Sequence, residues 1–285
     1  MTERLDVAVI GAGTMGSGIA QTFATFGHEV HLVDASEAAL ERARAGIQKS
    51  LQRFVKKEKM TEDEAAAVLA RVRPETDLAQ AVAAVDLAVE AVFENPQVKE
   101  EVFRALDEHA PEHAILASNT SSISITALGA VTRRPESVIG MHFMNPVPLM
   151  KLVEIVRGEK TSDEVVARTK AIAEGLDKVV GVAQDYAGFV SNRVLMPLIN
   201  EAAFCLYEGV ATPEDIDTIM KYGMNHPMGP LALADLIGID VVVDILDYLH
   251  EQFGDPKFRC APNLRRMRAA GKLGRKTGEG FYRYD

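Results

Sequence analysis

The sequence predicts an α/β fold in which a mostly parallel sheet, interrupted by a helical-hairpin excursion, is followed by an all-helical carboxy-terminal domain. Two observations carry this expectation. Short apolar runs at 7–10, 30–33, 87–89, 115–117, 138–143 and 152–156 alternate with helical patterns, as βαβ units with helices on both faces of a sheet require. Beyond about Gln184 only helix-period patterns remain, over 189–207, 213–222, 231–253 and 263–270. Two domains are therefore expected, 1–184 and 185–285, and 47% apolar residues suffice for a sizeable core.

The first strand leads into Gly11-Ala-Gly13-Thr14-Met15-Gly16, a GxGxxG run followed by a helix continuing to Phe26. In that setting Gly11 permits the tight turn, Gly13 lets backbone amides approach a pyrophosphate, and Gly16 lets the helix lie close to the sheet. The helix start adds its positive dipole end. The second strand ends in Asp34, placed to meet adenosine ribose hydroxyls and to repel a 2′-phosphate, which favours NAD over NADP. A Rossmann-type domain follows. FAD uses the same fingerprint, so the cofactor must be decided by what comes after it.

The excursion spans 36–59 and 61–72, with Thr61 and Glu64 in a capping-box pattern. Lys49, Arg53, Lys56 and Lys57 fall on one helical face, opposite Ile47, Leu51 and Phe54, and Lys59 adds a further cation. Taken alone, such a face is more often simply solvated. The net charge of −10 argues against nucleic acid or an anionic membrane as partner, so an anionic substrate would need a local basic patch such as this one. No run approaches a membrane span and the first residues lack a signal-peptide pattern, so a cytoplasmic protein is expected. Cys205 and Cys260 have no metal-site spacing and read as packing residues; no metal site is expected. In the helical part, Thr212 before Pro213 reads as an N-cap and Gly209 as a helix stop.

Four side chains are candidates for chemistry. The run Ser118-Asn119-Thr120-Ser121-Ser122 follows a strand and belongs at the carboxyl edge of the sheet, where ligands bind in open α/β folds; a helix cap with spare hydroxyls is the plain alternative. His142 lies near the end of an apolar strand and is followed by an Asn145-Pro146 turn; a lone strand histidine is more often a core residue. Glu154 interrupts another apolar strand, and a carboxylate buried there needs a partner. His142 and Glu154 can thus serve as a base and its orienting carboxylate. Hydride transfer from a carbinol needs a base for the hydroxyl proton and donors for the carbonyl that forms. An imidazole suits the first task, and Ser121 and Asn192 suit the second, although Asn192 also reads as a helix-opening polar residue.

The chain resembles, end to end, the L-3-hydroxyacyl-CoA dehydrogenase family, in particular its bacterial 3-hydroxybutyryl-CoA members. The resemblance rests on GAGTMGSGIAQ (11–21), ASNTSS (117–122), MHFMNPVPLMKLVE (141–154), GFVSNR (188–193), HPMGPL (226–231) and GRKTGEGFY (274–282). It implies His142 as catalytic base with Glu154 as its partner, and Ser121 and Asn192 as substrate-holding residues. It also implies NAD contacts from Asp34, Glu94, Lys99, Asn145 and Lys276, and acyl-CoA contacts from Ser50 and Lys57. A short substrate pair, 3-hydroxybutyryl-CoA and acetoacetyl-CoA, and a homodimer joined through the helical domain are implied as well. Two positions depart from the family pattern: Ala187 stands where proline is usual, and Met144 where many members have phenylalanine. A relative acting on another 3-hydroxy compound, or one that binds NAD without catalysis, would carry the same fold.

Overall fold

The computed structural model describes residues 4–284; residues 1–3, and with them part of the lead-in to the first strand, lie outside the described residues, as does residue 285. The chain divides into two compact units between Tyr186 and Ala187. In the first, the elements run β1 (Asp6–Ile10), α1 (Thr14–Thr25), β2 (Glu29–Val33), α2 (Glu37–Lys56), α3 (Glu62–Arg71), β3 (Val72–Glu75), α4 (Leu78–Val82), β4 (Leu87–Glu90) and α5 (Pro96–His109). There follow β5 (Ile115–Ser118), α6 (Ile125–Ala130), β6 (Val138–Phe143), β7 (Leu152–Arg157), α7 (Asp163–Gly175) and β8 (Val179–Gln184). The strands form one eight-stranded sheet ordered β3-β2-β1-β4-β5-β6-β7-β8. Strands β3 to β6 in that order are parallel, β7 runs antiparallel to β6, and β8 is parallel to β7.

The apolar runs became strands because a parallel sheet covered on both faces buries every residue of its central strands. All residues of β4, β5 and β6 are buried. Two strands were not anticipated. β3 is a Val-Arg-Pro-Glu edge strand, where a proline without an N–H is tolerated. β8 is the opposite edge, with Val179 and Val182 exposed.

The excursion is a helical hairpin packed on α1. Ile47 and Leu51 point into the core while Lys49, Arg53, Lys56 and Lys57 are exposed, so the two faces expected from the spacing are present. The first helix stops at Lys56 instead of continuing to 59, because Glu58 adopts a left-handed conformation at the tip. Thr61 and Glu64 then form both bonds of a capping box.

The second unit contains α8 (Ser191–Tyr207), α9 (Pro213–Gly223), α10 (Pro230–Ile237), α11 (Ile239–Phe253) and α12 (Pro262–Ala269). Thr212 caps α9, and Gly209 follows the end of α8 with a positive φ. Two expectations are corrected. The helix expected from 189 begins at Ser191, since Gly188 and Phe189 both have positive φ, outside the helical region. The helix expected over 231–253 is two helices, broken at Gly238, whose φ of 107° a side chain would strain. Cys260 is buried and Cys205 half-buried against the same core, both as free thiols. Burial pushes the Cys260 thiol up to about 11, which suits a packing role. Among the described residues no helix is long and apolar enough to cross a membrane, and no cluster of side chains could hold a metal ion.

The glycine-rich tail has no helix of its own beyond one short turn at Arg275–Thr277, and buried carboxylates fix it instead. Asp235 in α10, 1% exposed, accepts the N–H groups of Phe281 and Tyr282 (2.9 Å each) and the Tyr284 hydroxyl at 3.0 Å. Asp217 in α9 accepts the N–H groups of Leu231 and Ala232, which open α10, and the Tyr282 hydroxyl, all at 2.9 Å. Burial and these carboxylates push both tyrosine hydroxyls upward, keeping them neutral donors. Replacing Asp235 with alanine leaves three donors unmatched. It is expected to lower stability by about 3 kcal/mol and to open the tail to cleavage at Lys272 and Arg275. Urea unfolding followed by circular dichroism, with limited trypsin digestion, checks both.

Candidate functional site

At the end of β1 the chain turns through Gly11 at φ 106°, and a Cβ there would lie 2.6 Å from the Ala91 carbonyl oxygen. A Cβ on Gly16 would lie 1.8 Å from the Gly11 carbonyl oxygen, so α1 can approach the turn only because that residue is glycine. On Gly13 a Cβ would meet nothing within 4 Å: the space beside the start of α1 is open. No side chain caps this helix, whose amino end, lined by Thr14 and Met15, is thus presented as an anion site. At the end of β2, Asp34 Oδ2 accepts Ala12 N–H and Oδ1 accepts Ser36 N–H, both at 2.9 Å. Each carboxylate oxygen keeps a second lone pair, which ribose hydroxyls can use. The residues present therefore fit a dinucleotide.

The carboxyl ends of β4, β5 and β6 carry a connected polar network. Glu90, the last residue of β4, is fully buried and bonded to Lys99 Nζ and Ser118 Oγ, both at 2.6 Å. Glu94 Oε1 accepts the Thr120 hydroxyl (2.6 Å), Ser122 hydroxyl (2.9 Å), Ser121 N–H (3.0 Å) and Ser122 N–H (3.2 Å), while Oε2 faces Lys99 Nζ at 3.3 Å. Burial alone would raise the Glu94 carboxyl. The Lys99 charge and these donors outweigh it and hold the group below its ordinary value. Asn119 Oδ1 accepts Phe143 N–H at 2.9 Å, tying the serine loop to β6.

In the antiparallel β6–β7 pair His142 stands directly opposite Glu154. Both are buried, and His142 Nδ1 lies 3.0 Å from Glu154 Oε2. A carboxylate only accepts, so the contact is made by Nδ1–H, and Nε2 carries the lone pair. Nε2 in turn lies 3.0 Å from Ser121 Oγ. The arrangement is an imidazole oriented by a carboxylate on one side and offered to a hydroxyl on the other, the geometry of general acid–base chemistry.

The first unit thus brings together Ser121, His142 and Glu154, with the partly exposed Glu94 hydrogen-bonded to the loop. Asn145 is exposed just beyond β6, Ser50 is half-buried and Lys57 exposed on the hairpin. Lys99 is only 1% exposed, its ammonium facing Glu90, Glu94 and the Val92 carbonyl. On the second unit Asn192 is buried in the first turn of α8, and Lys276 pairs with Asp240 at 2.7 Å. Sequence reasoning missed Glu90. The argument that singled out Glu154 applies to it equally: it ends an apolar run, Leu-Ala-Val-Glu, and needs a partner.

A Rossmann-type domain with a carboxylate at the ribose position and a histidine–glutamate pair at the sheet edge defines the class: an NAD-dependent oxidoreductase acting on CH–OH groups. Comparison with known proteins then places it. The family profile described as 3-hydroxyacyl-CoA dehydrogenase, NAD binding domain, matches residues 6–186, and that of the family's C-terminal domain matches 188–284. A probable 3-hydroxybutyryl-CoA dehydrogenase of Bacillus subtilis is 52% identical over 99% of this chain and 98% of its own. The 3-hydroxybutyryl-CoA dehydrogenase of Clostridioides difficile is 46% identical over 99% and 100%. The crystal structure of (S)-3-hydroxybutyryl-CoA dehydrogenase from Ralstonia eutropha superposes with a TM-score of 0.93 at 49% identity, covering 98% of each chain. The chain belongs to the 3-hydroxyacyl-CoA dehydrogenase family.

The contact at Gly16 supplies a direct test of the cradle. Gly16→Ala is expected to abolish NADH binding by titration calorimetry, because the clash is with backbone that no rotamer change relieves. Wild-type affinity in that variant would show that the turn is not the cofactor site.

Proposed function

We propose that the protein interconverts short (S)-3-hydroxyacyl-CoA and 3-ketoacyl-CoA thioesters, 3-hydroxybutyryl-CoA and acetoacetyl-CoA above all, with His142 as general base. The observation that carries this reading is His142 held between Glu154 and Ser121 at 3.0 Å each. Asp34, Glu94, Lys99, Asn145 and Lys276 are assigned to NAD on the motifs they occupy, and NAD when bound accepts the hydride released from C3 of the alcohol. His142 Nε2 takes the proton of the 3-hydroxyl, and the C3–O bond becomes a carbonyl. Glu154 stabilises the imidazolium so formed, as a buried carboxylate does at short range. Ser121 and Asn192 donate to the oxygen at C3. In the reverse direction the imidazolium returns the proton.

The CoA moiety supplies phosphates to an otherwise acidic protein of net charge −10. Ser50 and Lys57 are proposed as its contacts, with Lys49, Arg53 and Lys56 forming a positive field around them. The second unit leaves Ile219, Tyr222 and Met224 exposed, an apolar group on and just after α9 suited to a second copy of this unit. A homodimer is therefore proposed, and sedimentation equilibrium is expected to return about twice the 31.0 kDa chain mass.

The decisive assay follows NADH absorbance with acetoacetyl-CoA. Turnover is expected with NADH and far less with NADPH, which Asp34 repels. His142→Gln is expected to lower kcat by about 10²- to 10⁴-fold. NADH binding without turnover of acetoacetyl-CoA would overturn the substrate assignment, and an unimpaired His142→Gln the assignment of the base.

A further inference from the structure

The reaction just described does not explain why Lys99 is seated on a second buried charge, Glu90. Glu90 and Lys99, 0% and 1% exposed at their side chains, pair at 2.6 Å. Two apolar side chains of the same volume fill such a space at least as stably, so stability alone does not account for the pair. Its connections do. Glu90 Oε1 also accepts Val92 N–H at 2.7 Å, and Oε2 accepts the Ser118 hydroxyl, whose oxygen accepts Thr120 N–H at 3.1 Å. Glu90 thereby clamps the ends of β4 and β5 together. Lys99, in the first turn of α5, reaches past it to Glu94 Oε2 at 3.3 Å. Glu94 Oε1 gathers the hydroxyls of Thr120 and Ser122 and the N–H groups of Ser121 and Ser122. The last link is Ser121 Oγ against His142.

We propose that Lys99 is a positioning residue: seated on Glu90, it fixes Glu94, and Glu94 fixes Ser121 against His142. The proposal rests on the preceding assignment of Ser121 and His142 to the reaction. It gives Lys99 a second task beside the cofactor contact proposed for it, and the two tasks separate experimentally: the contact in the KM for NADH, the positioning in kcat.

The charged and titratable groups around Glu94 are Glu90 from β4, Lys99 from α5 and, through Ser121, His142 of β6 with Glu154 of β7. The folded Glu94 carboxyl lies below its ordinary 4.5, so its support of the loop is complete above that value and is lost as pH falls below it. Without Lys99 only the loop's hydrogen bonds oppose the burial penalty, and Glu94 takes up a proton at higher pH than in the wild type. A neutral carboxyl no longer matches the donors gathered on Oε1, and Ser121 loosens.

Two variants test this in the full chain. Lys99→Met removes the cation but strands Glu90. Glu90→Gln with Lys99→Met leaves no charge stranded in the seat of the Glu90–Lys99 pair, and is expected to give a folded protein for comparison. With acetoacetyl-CoA and NADH, both variants are expected to lose kcat on the order of 100-fold, the cost of about an ångström of misplacement. The loss of kcat is expected at saturating NADH, whatever the KM for NADH, and the acid limb of kcat should move to higher pH. A raised KM for NADH with unchanged kcat, or a wild-type pH profile in the double variant, would overturn the proposal. The imidazole ¹⁵N signals of His142, assigned by their loss in His142→Gln, are read in parallel. They are expected to shift in both variants, and unshifted signals overturn the positioning role even if acetoacetyl-CoA proves not to be the substrate. In that event the loss of wild-type turnover counts against the proposed function, and the nitrogen shifts alone judge Lys99.

Discussion

The reversal of β7 against β6 is the constraint on which the site depends. Every other strand from β3 to β6 runs the same way, so each presents only its carboxyl end at the ligand edge. The antiparallel return brings a mid-strand residue back beside that edge. It sets Glu154 opposite His142 on one face of the sheet, within direct reach. A slip of one residue would send Glu154 to the other face and leave a buried carboxylate without its imidazole. Stranding a buried carboxylate in that way costs several kcal/mol, so the His142–Glu154 hydrogen bond helps to hold the register.

Three carboxylates at this edge are satisfied in three ways, and the differences decide what each can do. Glu90 meets a lysine ammonium, a serine hydroxyl and a backbone amide. Glu94 meets hydroxyls and amides of a single loop and the edge of the same ammonium. Glu154 meets an imidazole. Only the last partner ordinarily gains and loses a proton near neutral pH. The proposed function accordingly assigns proton transfer to His142, while the other two carboxylates give shape to the loop that faces it.

Much of this was legible in the sequence where burial and local chemistry agree. Strands β1, β2, β4, β5, β6 and β7 announce themselves because strands of a sheet covered on both faces are mostly apolar. β3 does not, since Arg73, Pro74 and Glu75 suit an edge and resemble a loop. The break at Gly238 is hidden because the apolar period of Leu231 and Ala234 runs on through Ile239, Val242 and Leu246, and a single glycine inside a helical pattern is often tolerated. Glu154 stood out as a charge inside an apolar strand, whereas Glu90 at a strand end looked ordinary. The assignment of Lys99 came from family resemblance alone, and its burial is visible only once α5 is folded over the end of β4.

Both units solve one further problem in the same way. The serine loop at 119–122 and the glycine-rich tail at 271–284 carry polar backbone that helix and sheet satisfy only in part. Left to themselves, such segments are mobile and their side chains poorly aimed. In the first unit Glu94 collects two amides and two hydroxyls of the loop; in the second Asp235 collects two amides and a hydroxyl of the tail. A carboxylate suits this task because it only accepts and offers about four lone-pair sites. Asp240 adds a more exposed tie to Lys276 in the same tail. The side chains that family resemblance marks as functional, Ser121 in the loop and Lys276 in the tail, thus sit on segments whose conformation is set by acidic residues elsewhere in the chain. Rigid elements place the carboxylates, and the carboxylates place the loops.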